Sequence, residues 1–160
     1  MISRLTAYAA VFAVLSAATE PLPERLFPLP HYGRHGLDYW HQNEEGRLIV
    51  GGFRDADMDA EFTASEETTD RIQGALQGFV GELLGRMPAV THRWAGVFGL
   101  VPDLMPVVGR VPGREGLWAA GGYSGHGNVL GLMCGELVAN AITGDEHPLL
   151  EPMSPSRLLA

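Results

Sequence analysis

The sequence contains no lysine, and its 11 arginines are scattered rather than clustered. Against 19 aspartates and glutamates they leave a net charge of −8. Such a chain has no basic stripe with which to neutralise phosphates, so nucleic acid and anionic membrane surfaces are disfavoured as partners. Cysteine is nearly absent too. Cys134 stands alone, which excludes an internal disulfide and any cysteine-based metal site. It lies in the apolar run Val129 to Ala141 and reads as a buried, inert thiol. The six histidines are dispersed with no H-E-x-x-H spacing, so a zinc centre is disfavoured.

What remains is ordinary for a folded chain. At 160 residues, 46% hydrophobic and 19% charged, it is long enough to bury a core and reads as one domain over 1–160. Arg4 is followed by an uncharged stretch, Leu5 to Ala18, ending in Ser16-Ala17-Ala18. That outline fits a cleaved export signal. It fits equally a buried strand that turns at Thr19 to Pro23, and it is too short to span a membrane.

Further along, Gly36 to Gln42 and Arg47 to Phe53 read as a hairpin closed by Asn43-Glu44-Glu45-Gly46. Asp55, Asp57, Asp59 and Glu61 alternate without the glycine of a calcium loop, and read as a solvated loop. Thr63-Ala64-Ser65-Glu66 has the spacing of a capping box. After it, Ile72, Leu76, Phe79, Val80 and Leu83 recur at helical gaps, predicting an amphipathic surface helix that ends near Gly85 to Pro88. Val90 to Leu100, Met105 to Val108 and Leu117 to Ala120 read as strands. Asn128 to Thr143 is apolar almost all round and predicts a buried helix stopped by Gly144. Residues 145–160 read as an irregular tail. The sum is α+β with a largely antiparallel sheet, one amphipathic surface helix and one buried C-terminal helix.

The richest chemistry is the stretch Gly121-Gly122-Tyr123-Ser124-Gly125-His126-Gly127-Asn128. A strand runs into glycines and then into a helix. Glycines allow positive φ and close approach to a ligand, and the helix start carries unpaired N–H groups with partial positive charge. Gly125, Gly127 and Gly131 give G-x-G-x-x-x-G, one residue longer than the dinucleotide fingerprint, and no second parallel strand follows. The pyrophosphate reading is therefore rejected, which leaves either a helix start aimed at another group or a tight strand-to-helix connection with no ligand, and five glycines with Tyr, Ser and His among them are more than such a connection needs. A serine hydrolase elbow is matched only loosely at Gly122 to Gly125.

With Thr19-Glu20-Pro21-Leu22, Asp38-Tyr39-Trp40, Gly51-Gly52, Arg54-Asp55, and Arg93-Trp94-Ala95-Gly96 running to Pro102-Asp103, this loop resembles the C-terminal portion of a known family. It is the FAD-dependent oxidoreductases of the D-amino-acid oxidase, sarcosine oxidase and glycine oxidase superfamily, nearest to the gamma-glutamylputrescine oxidase-like branch. The resemblance runs from about Ala7 to Ile142 and favours the strand reading of the N-terminal stretch. It implies that Gly122, Tyr123, Ser124, Gly125, His126, Gly127 and Asn128, with Gly96 and Asp103, face the flavin. It implies hydride transfer to flavin from the carbon bearing an amine, with the amine or amino acid held over the sheet by Tyr39, Arg54 and Tyr123. The family's G-x-G-x-x-G half is lacking, so a partner chain or an upstream segment is expected to hold the rest of the FAD. No cysteine precedes the Pro-Asp pair, so the flavin is expected to be non-covalent. A cytoplasmic location is expected, with export the alternative. A stand-alone or relic binding domain without catalysis is the competing reading.

Overall fold

The computed structural model describes residues 10–159. The chain divides into two compact units: Phe12–Val97, and a second that joins the described residues 10–11 to those from Phe98 onward. Each is taken by itself.

The first unit is built on a five-stranded sheet in the order β2-β3-β4-β1-β5. Its strands are β1 (Ala10–Pro21), β2 (His31–Gly33), β3 (Asp38–Gln42), β4 (Arg47–Gly52) and β5 (Val90–Leu100). β1 pairs antiparallel with β4, β2 with β3, and β3 with β4. The apolar N-terminal stretch forms an interior strand from Ala10, with Ala13, Leu15, Ala17 and Ala18 buried. The strand reading holds there, and residues 1–9 lie outside the described part.

The hairpin between β3 and β4 forms where expected, and the local chemistry explains it. The Asn43 side chain accepts from Arg47 N at 2.9 Å, and Gly46 N donates to Asn43 O at 3.0 Å. Gly46 sits at φ 83°, where a Cβ would stand 2.9 Å from Leu22 O. The turn thus needs glycine twice over.

A short helix α1 (Met58–Glu61) precedes the amphipathic α2 (Asp70–Leu84). Ile72, Leu76 and Val80 are buried against Leu15, Leu48 and Val50. Each such side chain contributes about 2 kcal/mol on burial. Gly85 ends the helix in the left-handed conformation, its N–H donating to Gly81 O at 2.8 Å.

The start of α2 corrects the capping-box expectation. Thr63 Oγ1 accepts from Ser65 N and Ser65 Oγ from Glu67 N, so both hydroxyls are spent on local turns. The helix begins only after Thr69, whose hydroxyl donates to Glu61 Oε1 at 2.9 Å. The solvated-loop reading fails at its last member for the same reason: Glu61 is 1% exposed.

The second unit holds the two-stranded β6 (Val107–Arg110) and β7 (Trp118–Gly121), antiparallel, followed by α3 (Gly127–Ile142). Val108, Cys134, Leu137, Ala141, Leu150 and Met153 form its core. Burial pushes the Cys134 thiol up from its ordinary value, in keeping with an inert thiol. The helix is buried on that side only: Val129, Leu132, Met133 and Ile142 are exposed. Full burial, expected from its all-round apolar sequence, does not occur because only one layer of this unit packs against it.

The last residues are also more ordered than expected. They form α4 (Leu150–Met153) and a 3-10 turn (Pro155–Leu158), capped by Ser154 Oγ accepting from Ser156 N. Leu150 and Met153 supply the apolar contacts that fix them. Together the elements are α+β with a mostly antiparallel sheet. Among the described residues no helix is long and apolar enough to cross a membrane.

Candidate functional site

The glycine loop leaves β7 through three left-handed residues, Gly122 (φ 67°), Ser124 (φ 50°) and Gly125 (φ 90°). Gly122 has no room for a side chain, since a Cβ would stand 2.6 Å from Val101 Cγ2 and 3.2 Å from Val107 Cγ2. Gly125 lies beside the Phe98 ring, at an ordinary 3.6 Å. The turn reverses the chain within five residues, so that α3 starts directly after His126.

The start of α3 is open. No side chain caps it, its first turn holds no acidic residue, and Gly125 to Val129 are exposed. His126 N is spent on Tyr123 O at 2.9 Å, while Val129 and Leu130 N donate to His126 O. That leaves the amides of Gly127 and Asn128 without an acceptor among the described residues. Free N–H groups at the positive end of a 16-residue helix suit a group that carries or gains negative charge. The Gly127 and Asn128 amides are therefore uncapped, on exposed residues.

The side chains of the loop divide differently. Ser124 turns inward: it is buried, its hydroxyl accepts from Val101 N at 3.2 Å, and it acts as a brace for the loop. The Tyr123 ring lies along the helix, close to where Cβ atoms of Gly127 and Gly131 would be (3.3 and 3.7 Å), and packs on the core. Burial raises its phenol above the ordinary value. His126 Nδ1 is 3.2 Å from Ser124 O. Ser124 and Tyr123 thus turn toward the protein, while His126 and Asn128 are exposed beside the free amides.

Asp103 is engaged elsewhere. Arg157 donates to it from Nε (2.7 Å) and Nη2 (3.2 Å), and also to the carbonyls of Met153, Ser154 and Met105. The carboxylate ties Arg157 to the turn after β5. Arg157 holds the Asp103 pKa down at about 2 from 3.8. A depressed carboxylate stabilises above its ordinary value and loses that contribution as pH falls through the folded one. Asp103→Asn is expected to flatten acid unfolding between pH 3.8 and 2. The pair is half-exposed, so the effect is about 1 kcal/mol or less. Thermal melts across that range check it.

Tyr39, Arg54 and Gly96 belong to the other unit. Tyr39 is in register with Gly51 and Ser16 on one sheet face. Its hydroxyl is 2.8 Å from Ser16 Oγ, and a Cβ on Gly51 would overlap its ring. Burial pushes the phenol up, while the Ser16 bond and the charge of Arg54 pull it back. Trp40, one residue on, turns to the opposite face and meets Phe79 of α2. Gly96 lies exposed on β5 with open space at its Cβ position. Sequence reading missed Phe98 and Val101, the neighbours that shape the glycine loop; their signal was only proximity to the Pro-Asp pair. No metal-holding cluster exists among the described residues.

A family model described as FAD dependent oxidoreductase matches residues 7–141. Glycine oxidase of Pseudomonas aeruginosa is 32% identical over 112 residues, covering 68% of this chain and 29% of that protein. The bifunctional protein MnmC of Thiobacillus denitrificans, of tRNA 5-methylaminomethyl-2-thiouridine biosynthesis, is 39% identical over 79 residues, 49% of this chain and 12% of its own length. Glycine oxidase from Bacillus cereus superposes with a TM-score of 0.74 at 16% identity, over 94% of this chain and 42% of that one. This chain therefore spans under a third of the curated relatives it matches.

Proposed function

The chain belongs to the FAD-dependent oxidoreductase family, and from that premise we propose that it is the substrate-side, flavin-covering portion of an enzyme that oxidises the C–N bond of an amine or amino acid. The observation that carries this reading is the pair of unpartnered amides, Gly127 and Asn128, at an uncapped helix start behind a left-handed turn. FAD, when bound, supplies the two-electron acceptor.

The chain's own residues do the rest. The amides of Gly127 and Asn128 would hold the edge of the flavin ring, where the α3 dipole would favour negative charge without reorganisation. Ser124, bonded to Val101 N, keeps the turn from relaxing. Tyr39 and Arg54 offer a phenol and a guanidinium to the amine side. Cys134 is buried, so the flavin is held without a covalent link. The grip on adenine and pyrophosphate comes from protein outside this sequence, in the same polypeptide or a partner, in the cytoplasm.

Two outcomes test this. The 160-residue chain purified with FAD is expected to lose flavin absorbance on gel filtration. Joined to a dinucleotide-binding portion, it is expected to retain flavin and oxidise an amine. Retention of one flavin per chain by the 160 residues alone would overturn the reading. The exposed Val129, Leu132 and Ile142 face of α3 is expected to make the isolated chain associate with rising concentration, as followed by light scattering. A monomer at all concentrations would count against a missing cover.

A further inference from the structure

Tyr39, Gly51 and Ser16 stand directly opposite one another on β3, β4 and β1, so the three positions share one face of the sheet. Two strand spacings, about 10 Å, separate the outer members of this row. A tyrosine crosses that gap only by lying flat over the strand between. Gly51 makes room for it: a Cβ there would overlap Cζ and Oη of the Tyr39 ring. The φ of Gly51 is not left-handed, so its backbone does not require glycine. The ring that fills this notch, rather than a turn, accounts for the missing side chain.

The far end of the ring meets a partner that is itself held. Ser16 is 3% exposed, and its Oγ lies 2.8 Å from Tyr39 Oη. The Ser16 carbonyl accepts from Nε2 of the buried Gln73 on α2 at 3.3 Å. Among the described residues, Tyr39 Oη is the hydrogen-bond partner of Ser16 Oγ. A buried hydroxyl proton left without an acceptor is costly, so Ser16 donates and the phenol oxygen accepts. The phenol's own proton then points away from Ser16. Tyr39 is half-buried, and this proton is what it has to offer a bound molecule.

We propose that Ser16 is a positioning residue: reaching across the Gly51 notch, its hydroxyl fixes the Tyr39 phenol in place and sets it as a hydrogen-bond donor. Its purpose rests on the reading of Tyr39 as an amine-side contact; the row, the notch and the bond do not.

The test is a double-mutant cycle on the full chain with Ser16→Ala and Gly51→Ala. It is read as the ultraviolet tyrosinate titration of Tyr39, with Tyr39→Phe in each background subtracting the other tyrosines. Burial raises the Tyr39 phenol, the Ser16 bond lowers it, and Tyr32 and Arg54, present throughout, act more weakly. Ser16→Ala is expected to raise the Tyr39 pKa, because the phenolate loses a donor. Mere loosening would let water reach the phenol and move it down. With Gly51→Ala the added methyl lifts the ring out of the notch, and Ser16→Ala is then expected to leave the titration unchanged. The tyrosine Raman doublet reads the direction of the bond: the intensity ratio that marks an accepting phenol is expected to fall on Ser16→Ala. No shift or a downward shift from Ser16→Ala, an equal upward shift beside Gly51→Ala, or a doublet ratio that rises would overturn the proposal. Should Ser16→Ala fail to fold, Ser16→Cys keeps the volume, weakens the donor and is read identically. In the complete enzyme Ser16→Ala is expected to raise the amine KM about 2–10-fold and to lower kcat less. A KM unmoved by Tyr39→Phe removes the substrate reading and leaves the cycle standing. A KM moved by Tyr39→Phe but not by Ser16→Ala would overturn the positioning role.

Discussion

Gly122→Ala is expected to destabilise the chain by about 2–4 kcal/mol, whereas Gly121→Ala one residue earlier should cost well under about 1 kcal/mol. The contrast follows from two independent penalties that meet at one position. At φ 67° an alanine is held in the left-handed region, costing about 1–2 kcal/mol. Its Cβ would also stand 2.6 Å from Val101 Cγ2. Both crowding atoms belong to branched valines of the loop's own neighbourhood, Val101 and Val107, so the strain cannot be relieved by swinging a flexible side chain aside. Overpacking of this kind adds about 1–3 kcal/mol. Gly121 meets nothing within 4 Å and has no left-handed φ. Gly125→Ala should fall between, with the backbone penalty at φ 90° but only an ordinary contact to Phe98. Denaturant midpoints of the three variants give the ranking. In the complete enzyme Gly122→Ala should also lower flavin retention, because a relaxed turn no longer aims the Gly127 and Asn128 amides. Equal effects at Gly121 and Gly122 would show that the loop is not shaped by this crowding.

The parts legible in sequence are those governed by local chemistry. The Asn43 to Gly46 turn carries its own acceptor and its own left-handed residue, so the hairpin could be read before any packing was known. The Val90 to Leu100 strand and the Asn128 helix start follow from β-rich composition and from glycines that punctuate it. Less legible was which partner a polar side chain takes, whether two residues away or far along the chain. Thr63 to Glu66 has capping spacing, yet its hydroxyls close local turns. Asp103 looked available until Arg157, 54 residues on, took both oxygens. Ser124 read as part of a ligand loop, whereas its hydroxyl is the internal brace. The left-handed turn of the loop was legible because glycine reports φ directly; the direction of its side chains was not, because no pattern announces which way a serine turns.

Glu61 is the sharpest such case, and Glu61→Gln is expected to stabilise the chain at neutral pH by about 1–3 kcal/mol. The carboxyl is 1% exposed. Oε1 accepts from Thr69 Oγ1 at 2.9 Å, and Oε2 has no partner among the described residues. Burial raises its pKa, the Thr69 bond offsets part of that, and the negative charge of Asp57 raises it further. A carboxyl whose folded value lies above its unfolded one binds more protons folded than unfolded. Stability is therefore greatest below the ordinary value of 4.5 and declines as pH rises toward the folded one, remaining lower beyond it. This is the opposite sense to Asp103, so the two should bracket the pH of maximum stability from either side. Glutamine keeps an acceptor for Thr69 and never ionises. It should remove the alkaline-side decline while leaving the Asp103 limb intact. Asp57→Asn should act in the same direction but less. Stability profiles of the parent and of both variants from pH 2 to 9 decide it. A Gln variant with the parent's slope, or one less stable at neutral pH, would mean that the Glu61 carboxylate is charged and well held in the folded chain.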